Sequence, residues 1–220
     1  RPGKDRVTRA EKVGIPINLI ATAGLLLTVF GSKDMSATAD LVTVSNELGE
    51  QQEFYVPRES YRRRLAVFFW DAEDVPEDQR WLSYGVTEML TQDLQQNPFL
   101  LASSPWENGG YGFYNRMKQS GFDDGLGVPL SLKREIAENA GRDYFIDGSV
   151  RYIDQEYQVS ARVWETESLK KVGEVGASGW DLLSAVDEIS TGVRELLDTP
   201  PGKSDLPLAE TYGESEEAFR

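Results

Sequence analysis

The chain contains neither cysteine nor histidine. Without cysteine it can form no disulfide and no thiolate zinc site. Without histidine it lacks the usual general base, the Ser-His-Asp and Cys-His arrangements, and the commonest metal ligand. We therefore expect no catalytic residue, no cofactor and no metal site in this segment. Any enzymatic activity would belong to a cytoplasmic part of the protein outside it.

Basic residues are also in the minority. Lysine and arginine number 23 against 37 aspartates and glutamates, which gives a formal net charge of −14. An acidic surface does not neutralise phosphates, so this balance disfavours nucleic acid as a partner. It equally disfavours a domain that lies flat on anionic lipid. The cations are concentrated at the start, where residues 1–12 hold five basic side chains against two acidic ones.

Charge is absent altogether from Val13 to Phe30, VGIPINLIATAGLLLTVF. As a helix this stretch would be about 27 Å long, close to the ~30 Å hydrocarbon layer of a bilayer. Two alternatives are a buried helix of a soluble core and a secretory signal peptide. Residues 31–33, Gly-Ser-Lys, offer no small-x-small cleavage site, which disfavours the signal peptide. We predict a transmembrane helix at 13–30.

The charges beside this stretch predict its orientation. Positively charged flanks remain on the cytoplasmic side, so residues 1–12 form a cytoplasmic juxtamembrane arm and the acidic remainder lies outside. If the host is a Gram-negative bacterium, the expected location is the inner membrane, as a single-pass protein with a periplasmic C-terminal domain. Because the chain begins without methionine, we expect it to be part of a longer protein.

The residues after the span predict a mixed-sheet α/β (α+β) domain with helices packed on the sheet. We expect a tether and β-hairpin at 31–64, the domain at 65–198, and a linker at 199–220. Leu65 to Trp70, LAVFFW, has no polar face and predicts a central strand buried on both sides. A polar loop follows at 71–79. The other predicted elements are helices at 80–96, 130–139 and 182–197 and strands at 99–102, 144–152, 157–165 and 171–180.

An arginine-rich run precedes the central strand, with four arginines between positions 58 and 64. Arg62, Arg63 and Arg64 are candidate interaction residues for an anion or a lipid headgroup. The alternative is a solvated connector whose arginines pair with nearby carboxylates, and exposed charge runs favour this alternative.

A second candidate surface is the aromatic and glycine-rich segment at 103–128, with a short helix expected near 114–119. Its candidate interaction residues are Trp106, Tyr111, Phe113 and Tyr114, because aromatic side chains supply contact area at low entropic cost. The alternative is an insertion whose rings only cover the edge of the sheet. A third candidate is the acidic loop at 71–78, whose carboxylates suit Mg²⁺ or Ca²⁺, although its spacing lacks the glycine-centred calcium loop.

Four stretches resemble, in order, motifs of the TolB amino-terminal-like domain. They are RLAVFF at 64–69, YGVTEMLTQDL at 84–94, GRDYFIDGSVR at 141–151 and VSARVWET at 159–166. The resemblance covers 65–197 and implies a non-catalytic extracytoplasmic domain of bacterial membrane-anchored signalling proteins. Tetratricopeptide repeats often follow such domains, and 208–219 resembles the start of one. The hairpin at 40–56 and the segment at 111–127 depart from the family.

The sequence therefore predicts an interaction or sensing module that acts through protein contacts, either with a partner protein or by self-association. The alternative is a sensor for a small molecule or a divalent metal, which would bind through the 103–128 loop or the acidic 71–78 loop.

Overall fold

The computed structural model describes residues 38–45, 51–107, 112–200 and 206–212. The chain divides into two compact units at Val56 and Pro57. The predicted transmembrane helix at 13–30 lies outside the described residues. Among the helices that are described, none combines the length and the apolar character needed to cross a membrane.

The first unit contains a two-stranded sheet of β1 (Ala39–Ser45) and β2 (Gln51–Pro57). Its β1 strand leaves apolar side chains in solvent, because Leu41, Val42 and Val44 are each 40–51% exposed. Neighbouring residues of a strand point to opposite faces, so both faces of β1 are apolar. A hairpin of two strands is marginally stable by itself in water.

The second unit is a six-stranded mixed sheet with helices on both faces, as the fold class predicted. Its strands are β3 (Arg63–Val67), β4 (Asp71–Glu73), β5 (Leu100–Ser103), β6 (Tyr144–Ile153), β7 (Glu156–Glu165) and β8 (Lys171–Gly179). They lie in the order β5-β3-β6-β7-β8, and β4 pairs with the far part of β6. The contacts of β3 and β4 are parallel, whereas β6, β7 and β8 form an antiparallel meander.

The helices are α1 (Leu82–Gln95), α2 (Phe113–Gln119), α3 (Leu130–Asn139), α4 (Leu182–Leu196) and α5 (Leu208–Tyr212). On one face of the sheet, α1 and α4 bury a core that includes Leu65, Val67 and Ile146. On the other face, α2 and α3 cover Ala66, Phe68 and Phe145. Successive residues of β3 and β6 point alternately into these two cores. The apolar runs of both strands are therefore buried on both faces.

A β-bulge interrupts the central strand. Val67 pairs with Ile146 and Asp71 with Ser149, so three residues, 68–70, stand opposite two, 147–148. The extra residue sends Phe68 and Phe69 to the same face, while Trp70 returns to the other core. The predicted loop at 71–79 is therefore partly wrong, because 71–73 rejoin the sheet as β4 and 77–79 form a 3-10 helix.

Helix α1 satisfies the backbone groups that the bulge releases from the ladder. The Thr87 hydroxyl donates to the Phe68 carbonyl at 3.0 Å, and the Trp70 N–H donates to the Ser83 carbonyl at 3.1 Å. The four residues that form these two hydrogen bonds are all buried. Because unpaired buried backbone groups are costly, the bulge and the first turns of α1 depend on each other.

A buried carboxylate joins α3 to the meander. Asp147 accepts from Lys133 Nζ at 3.1 Å, from Arg162 Nε at 3.0 Å and from Trp164 Nε1 at 2.9 Å. Lys133 and Asp147 are each about 5% exposed. Three donors on one carboxylate compensate for its loss of hydration, which is the condition under which a buried ion pair is tolerated.

The C-terminal segment is fastened to α1 and α4. Gln96 exchanges two hydrogen bonds of 2.9 Å with the backbone of Leu206, and both Asp187 oxygens accept from the Leu208 N–H. Leu208 is fully buried in the core beside α4. The described part of the predicted repeat start is thus a single short helix, α5, that completes this domain.

Glycine at position 148 is required by a close approach within the sheet. A Cβ there would lie 2.3 Å from the Ser160 carbonyl oxygen and 2.8 Å from the Trp70 ring. At Gly176, on β8, the nearest atom would be 3.9 Å away. We predict that Gly148→Ala lowers the free energy of unfolding by about 2–3 kcal/mol. Urea denaturation should show no comparable loss for Gly176→Ala, and equal losses would contradict this account.

The Asp187 contact predicts a dependence of stability on pH. Burial, with the nearby Asp93 and Asp181 charges, raises the pKa of Asp187 to about 6 despite its hydrogen bond from Leu208 and the Arg194 charge. The folded state then holds the proton more tightly than the unfolded chain, so stability falls as pH rises from about 4 to about 6. Asp187→Asn should flatten this part of the curve of melting temperature against pH. Glu188→Gln removes the same charge from an exposed neighbour and should leave the slope unchanged.

Candidate functional site

The candidate arginines take part in contacts within the domain. Arg64 donates from Nε and Nη2 to the two oxygens of Asp143, at 3.2 and 2.9 Å, and its backbone N–H donates to the same carboxylate. Arg62 lies 3.6 Å from Glu59. Arg63 is partly buried in β3, opposite Leu100 of β5. Since Asp143 precedes β6, the Arg64 contact aligns the starts of two neighbouring parallel strands.

The candidate aromatic residues separate into two environments. Phe113 is 6% exposed and stacks on Phe68, with ring centroids 5.8 Å apart. Trp106 is 46% exposed and packs on Tyr114 at 4.6 Å and on Phe69 at 5.0 Å. Tyr111 lies outside the described residues. Phe113 is thus a core residue, whereas Trp106 and Tyr114 reach the surface.

The bulge places Phe69 at the centre of this aromatic group, which also includes Tyr84 at 4.8 Å. The Tyr84 and Tyr114 hydroxyls donate to the carbonyls of Asp124 and Asp123, which hold the following loop against the rings. A Cβ on Gly125 would lie 2.7 Å from the Phe69 ring, and its φ is +74°. Only glycine combines that backbone with so close an approach.

The structure brings together two loops that the sequence presented as separate candidates. Asp71 and Asp74, from the acidic loop, face Asp124 and Leu126, from the 103–128 segment, across a cleft of about 500 Å³. The cleft lies beyond the carboxyl end of β3, where open α/β sheets place ligands. We call it the loop cleft.

The loop cleft carries more acid than base. Arg80 is the basic side chain that lines it with the three aspartates. Glu73 of the acidic loop pairs with Arg151 of β6, outside the cleft lining. Within the ranges that the structure describes, no three metal-ligating side chains are grouped closely enough to hold an ion.

A further surface, which the sequence reasoning did not single out, is the free edge of β8. The nine residues Lys171–Gly179 pair with β7 on one side and, among the described strands, with none on the other. From Val172 to Gly179 this edge has one charged residue, Glu174, and no proline. Natural edges are usually shortened, charged or broken by proline, whereas β8 is nine residues long, has no proline and is charged only at Lys171 and Glu174.

The edge of β8 is continuous with an uncovered part of the sheet. Registers across the meander place Arg151, Gln158 and Ser178 on one row, and Ser149, Ser160 and Gly176 on the next. The β8 members of these rows are exposed. We call this surface the open face. It is formed by small and polar side chains around a shallow depression of about 650 Å³.

Trp180 lies directly after β8, at the end of its free edge. Its side chain is 80% exposed, and its Nε1 donates to Glu156 at 2.7 Å. A tryptophan with this exposure contributes little to the core, and tryptophan is enriched among residues that dominate binding energy. The sequence held a signal for it, since Trp180 lies between Gly179 and the Asp181 cap of α4, outside any apolar stripe.

The Arg64–Asp143 contact leads to a test of the arginine run. Although burial raises the pKa of Asp143, the hydrogen bonds and charge of Arg64 together lower it. We predict that Arg64→Gln reduces the melting temperature near neutral pH. The loss should begin to shrink as pH falls below about 4, where the unfolded chain takes up the proton, and should disappear only below the lower pKa that Asp143 has in the folded state, where the carboxyl is protonated in both states. Arg62→Gln removes a longer contact, of 3.6 Å, with the exposed carboxylate of Glu59 and should change little at any pH. Equal effects of the two substitutions would argue against a structural role specific to Arg64.

No family model and no curated protein matches the chain. Solved structures that the chain is similar to include the LpoB C-terminal domain from Salmonella enterica. It is 16% identical, with a TM-score of 0.41, and the match covers 53% of this chain and 82% of that one. TolB from Acinetobacter baumannii is 9% identical, with a TM-score of 0.40, over 73% of this chain and 31% of TolB.

The PelC dodecamer from Paraburkholderia phytofirmans is 12% identical, with a TM-score of 0.42, over 74% of this chain and 99% of that one. TolB, whose amino-terminal domain the sequence motifs resemble, is thus among the structural neighbours. At these identities and scores the likenesses assign neither a family nor a function to the chain.

Proposed function

We propose that the chain is a non-catalytic protein-interaction module that binds an extended segment of a partner protein along the free edge of β8. The observation that carries this proposal is the nine-residue edge that has no neighbour in the described sheet and ends at the exposed Trp180. A strand added there gains backbone hydrogen bonds, and alternate side chains of the added strand would contact the open face.

The location of the module is part of the proposal. The basic arm at residues 1–12 and the uncharged stretch at 13–30 support a single inner-membrane span with the domain in the periplasm. The exposed apolar residues of β1, Leu41, Val42 and Val44, provide a second surface suited to protein contact. A role in relaying signals through the span, and helical repeats after residue 212, extend the same proposal.

The partner surface of β8 can be tested by site-specific photocrosslinking in cells. A photoreactive residue at Val172 or Ser178 should give a discrete crosslinked species, and one at Lys118, on α2, should not. Trp180→Ala should reduce the β8 crosslinks about tenfold or more. Urea denaturation should give an unchanged free energy of unfolding, because the Trp180 side chain is exposed. A species of twice the chain mass would identify the partner as a second copy.

Trp106→Ala is the matched control, since it removes the other exposed tryptophan of the candidate surfaces. If Trp106→Ala abolished the crosslinks and Trp180→Ala did not, the aromatic segment and not the β8 edge would be the interaction surface. Crosslinks of equal strength from Lys118 would contradict a specific edge.

A second candidate function is the sensing of a small molecule, which the joining of two candidate loops into the loop cleft favours. Its acidic lining would take an organic cation. Such a ligand, binding only to the native state, must raise the melting temperature. Asp124→Asn should then reduce this shift without changing the β8 crosslinks.

A further inference from the structure

A second cavity, of about 380 Å³, lies between β5, α2 and the C-terminal end of α3. Its lining includes two arginines, Arg116 and Arg142, one carboxylate, Glu107, the hydroxyls of Ser103 and Ser104, and the ring of Phe113. Its volume is within the range of about 300–1,000 Å³ that is typical of small-molecule sites. The cavity shares no lining residue with the loop cleft or with the β8 edge.

Among the residues that the structure describes, the guanidinium of Arg142 makes no hydrogen bond and no ion pair. Its Nε is buried without a hydrogen bond, and the described residues place no carboxylate within ion-pair distance. The group lies over the Phe113 ring, 5.8 Å from the centroid. Burial lowers the pKa of Arg142, and the charge of Glu107 opposes that effect only in part. The side chain is partly buried, and a cation that is partly removed from water without an ion pair destabilises the fold.

The rest of the fold does not need this charge. The backbone N–H of Arg142 donates to the Ala137 carbonyl at 2.9 Å after Gly141, whose φ is +64°, so the backbone closes α3 whatever the side chain. By contrast Arg194, which is buried more deeply, is paired with Asp93 at 2.8 Å. The charge of Arg142 is therefore explained better by a ligand than by the domain.

The cavity presents charge of both signs. Arg116 lines the cavity together with Arg142, and its own contact with Glu135 is long, at 3.8 Å, and exposed. Glu107 accepts from Gln95 at 2.8 Å through Oε1, which leaves its second oxygen available among the described contacts. A dianion such as phosphate would be repelled by Glu107, whereas a molecule with one carboxylate and one ammonium matches both signs.

We propose that this cavity binds a free α-amino acid. The carboxylate of the ligand pairs with Arg142 and Arg116, its ammonium group contacts Glu107, and its side chain lies against the Phe113 ring. This inference is independent of the protein-binding role of β8 and would make the module responsive to a small metabolite.

The test measures the melting temperature of the full chain with each standard amino acid at about 10 mM, in detergent where the span requires it. At least one should raise the melting temperature by about 2–4 °C. Arg142→Met keeps a side chain on the Phe113 ring but removes the charge. It should abolish the shift and raise the melting temperature of the ligand-free chain, since a partly buried charge without an ion pair is lost. Lys118→Met removes an exposed charge from α2 and should change neither property.

Matched probes separate this proposal from simpler ones. If leucine is the ligand, 4-methylpentanoate, which lacks the amine, and 3-methylbutylamine, which lacks the carboxylate, should each give a much smaller shift. An equal shift with the acid alone, or a larger one with inorganic phosphate, would overturn the amino-acid assignment. The absence of any shift, or a shift that persists in Arg142→Met, would overturn the site. A fall in the melting temperature of ligand-free Arg142→Met would indicate a structural role for Arg142.

Discussion

The extra residue in the central strand is the constraint on which both candidate ligand-binding cavities depend, namely the loop cleft and the cavity beside Arg142. By placing Phe68 and Phe69 on one face and Trp70 on the other, the bulge fills two cores from consecutive positions. It also presents Phe69 to Tyr84, Trp106 and Tyr114, and the loop cleft forms beside that group. Bulges are known to re-aim side chains near functional sites, and here Thr87 and Ser83 of α1 satisfy the released backbone.

The sheet is covered unequally, and this explains where partners can bind. Parallel strands come with crossover helices, so β3 and its neighbours are protected on both faces by α1, α2 and α3. The antiparallel meander has α4 on one face, and the exposed β8 side of the other consists of small and polar side chains. One edge and part of one face of the meander therefore remain open, and a partner strand could form backbone hydrogen bonds along that edge.

Much of the fold could be predicted from periodicity. Helix α3 has the predicted bounds, and the other helices and strands of the meander differ by a few residues, because their apolar spacing is regular. The bulge could not be predicted, since LAVFFW is apolar throughout and its alternation is invisible. The partners of Arg64 and Asp147 also could not, because Asp143 lies 79 residues from Arg64 and only the folded register brings such charges together. For the same reason, the sequence around Arg142 predicts a helix end and gives no sign of a cavity.

The two proposed binding regions lie at opposite edges of one sheet, β5 and β8, with β3, β6 and β7 between them. A ligand at one edge can affect the other only through an element that has two arrangements that differ in energy by a small amount. Regular strands paired on both sides do not provide that freedom. The bulge does, since residues 68–70 are held by α1 and lie next to Phe113, the ring on which Arg142 rests. If amino-acid binding changes the affinity of β8 for its partner, the bulge at 68–70 is therefore the element that couples the two sites.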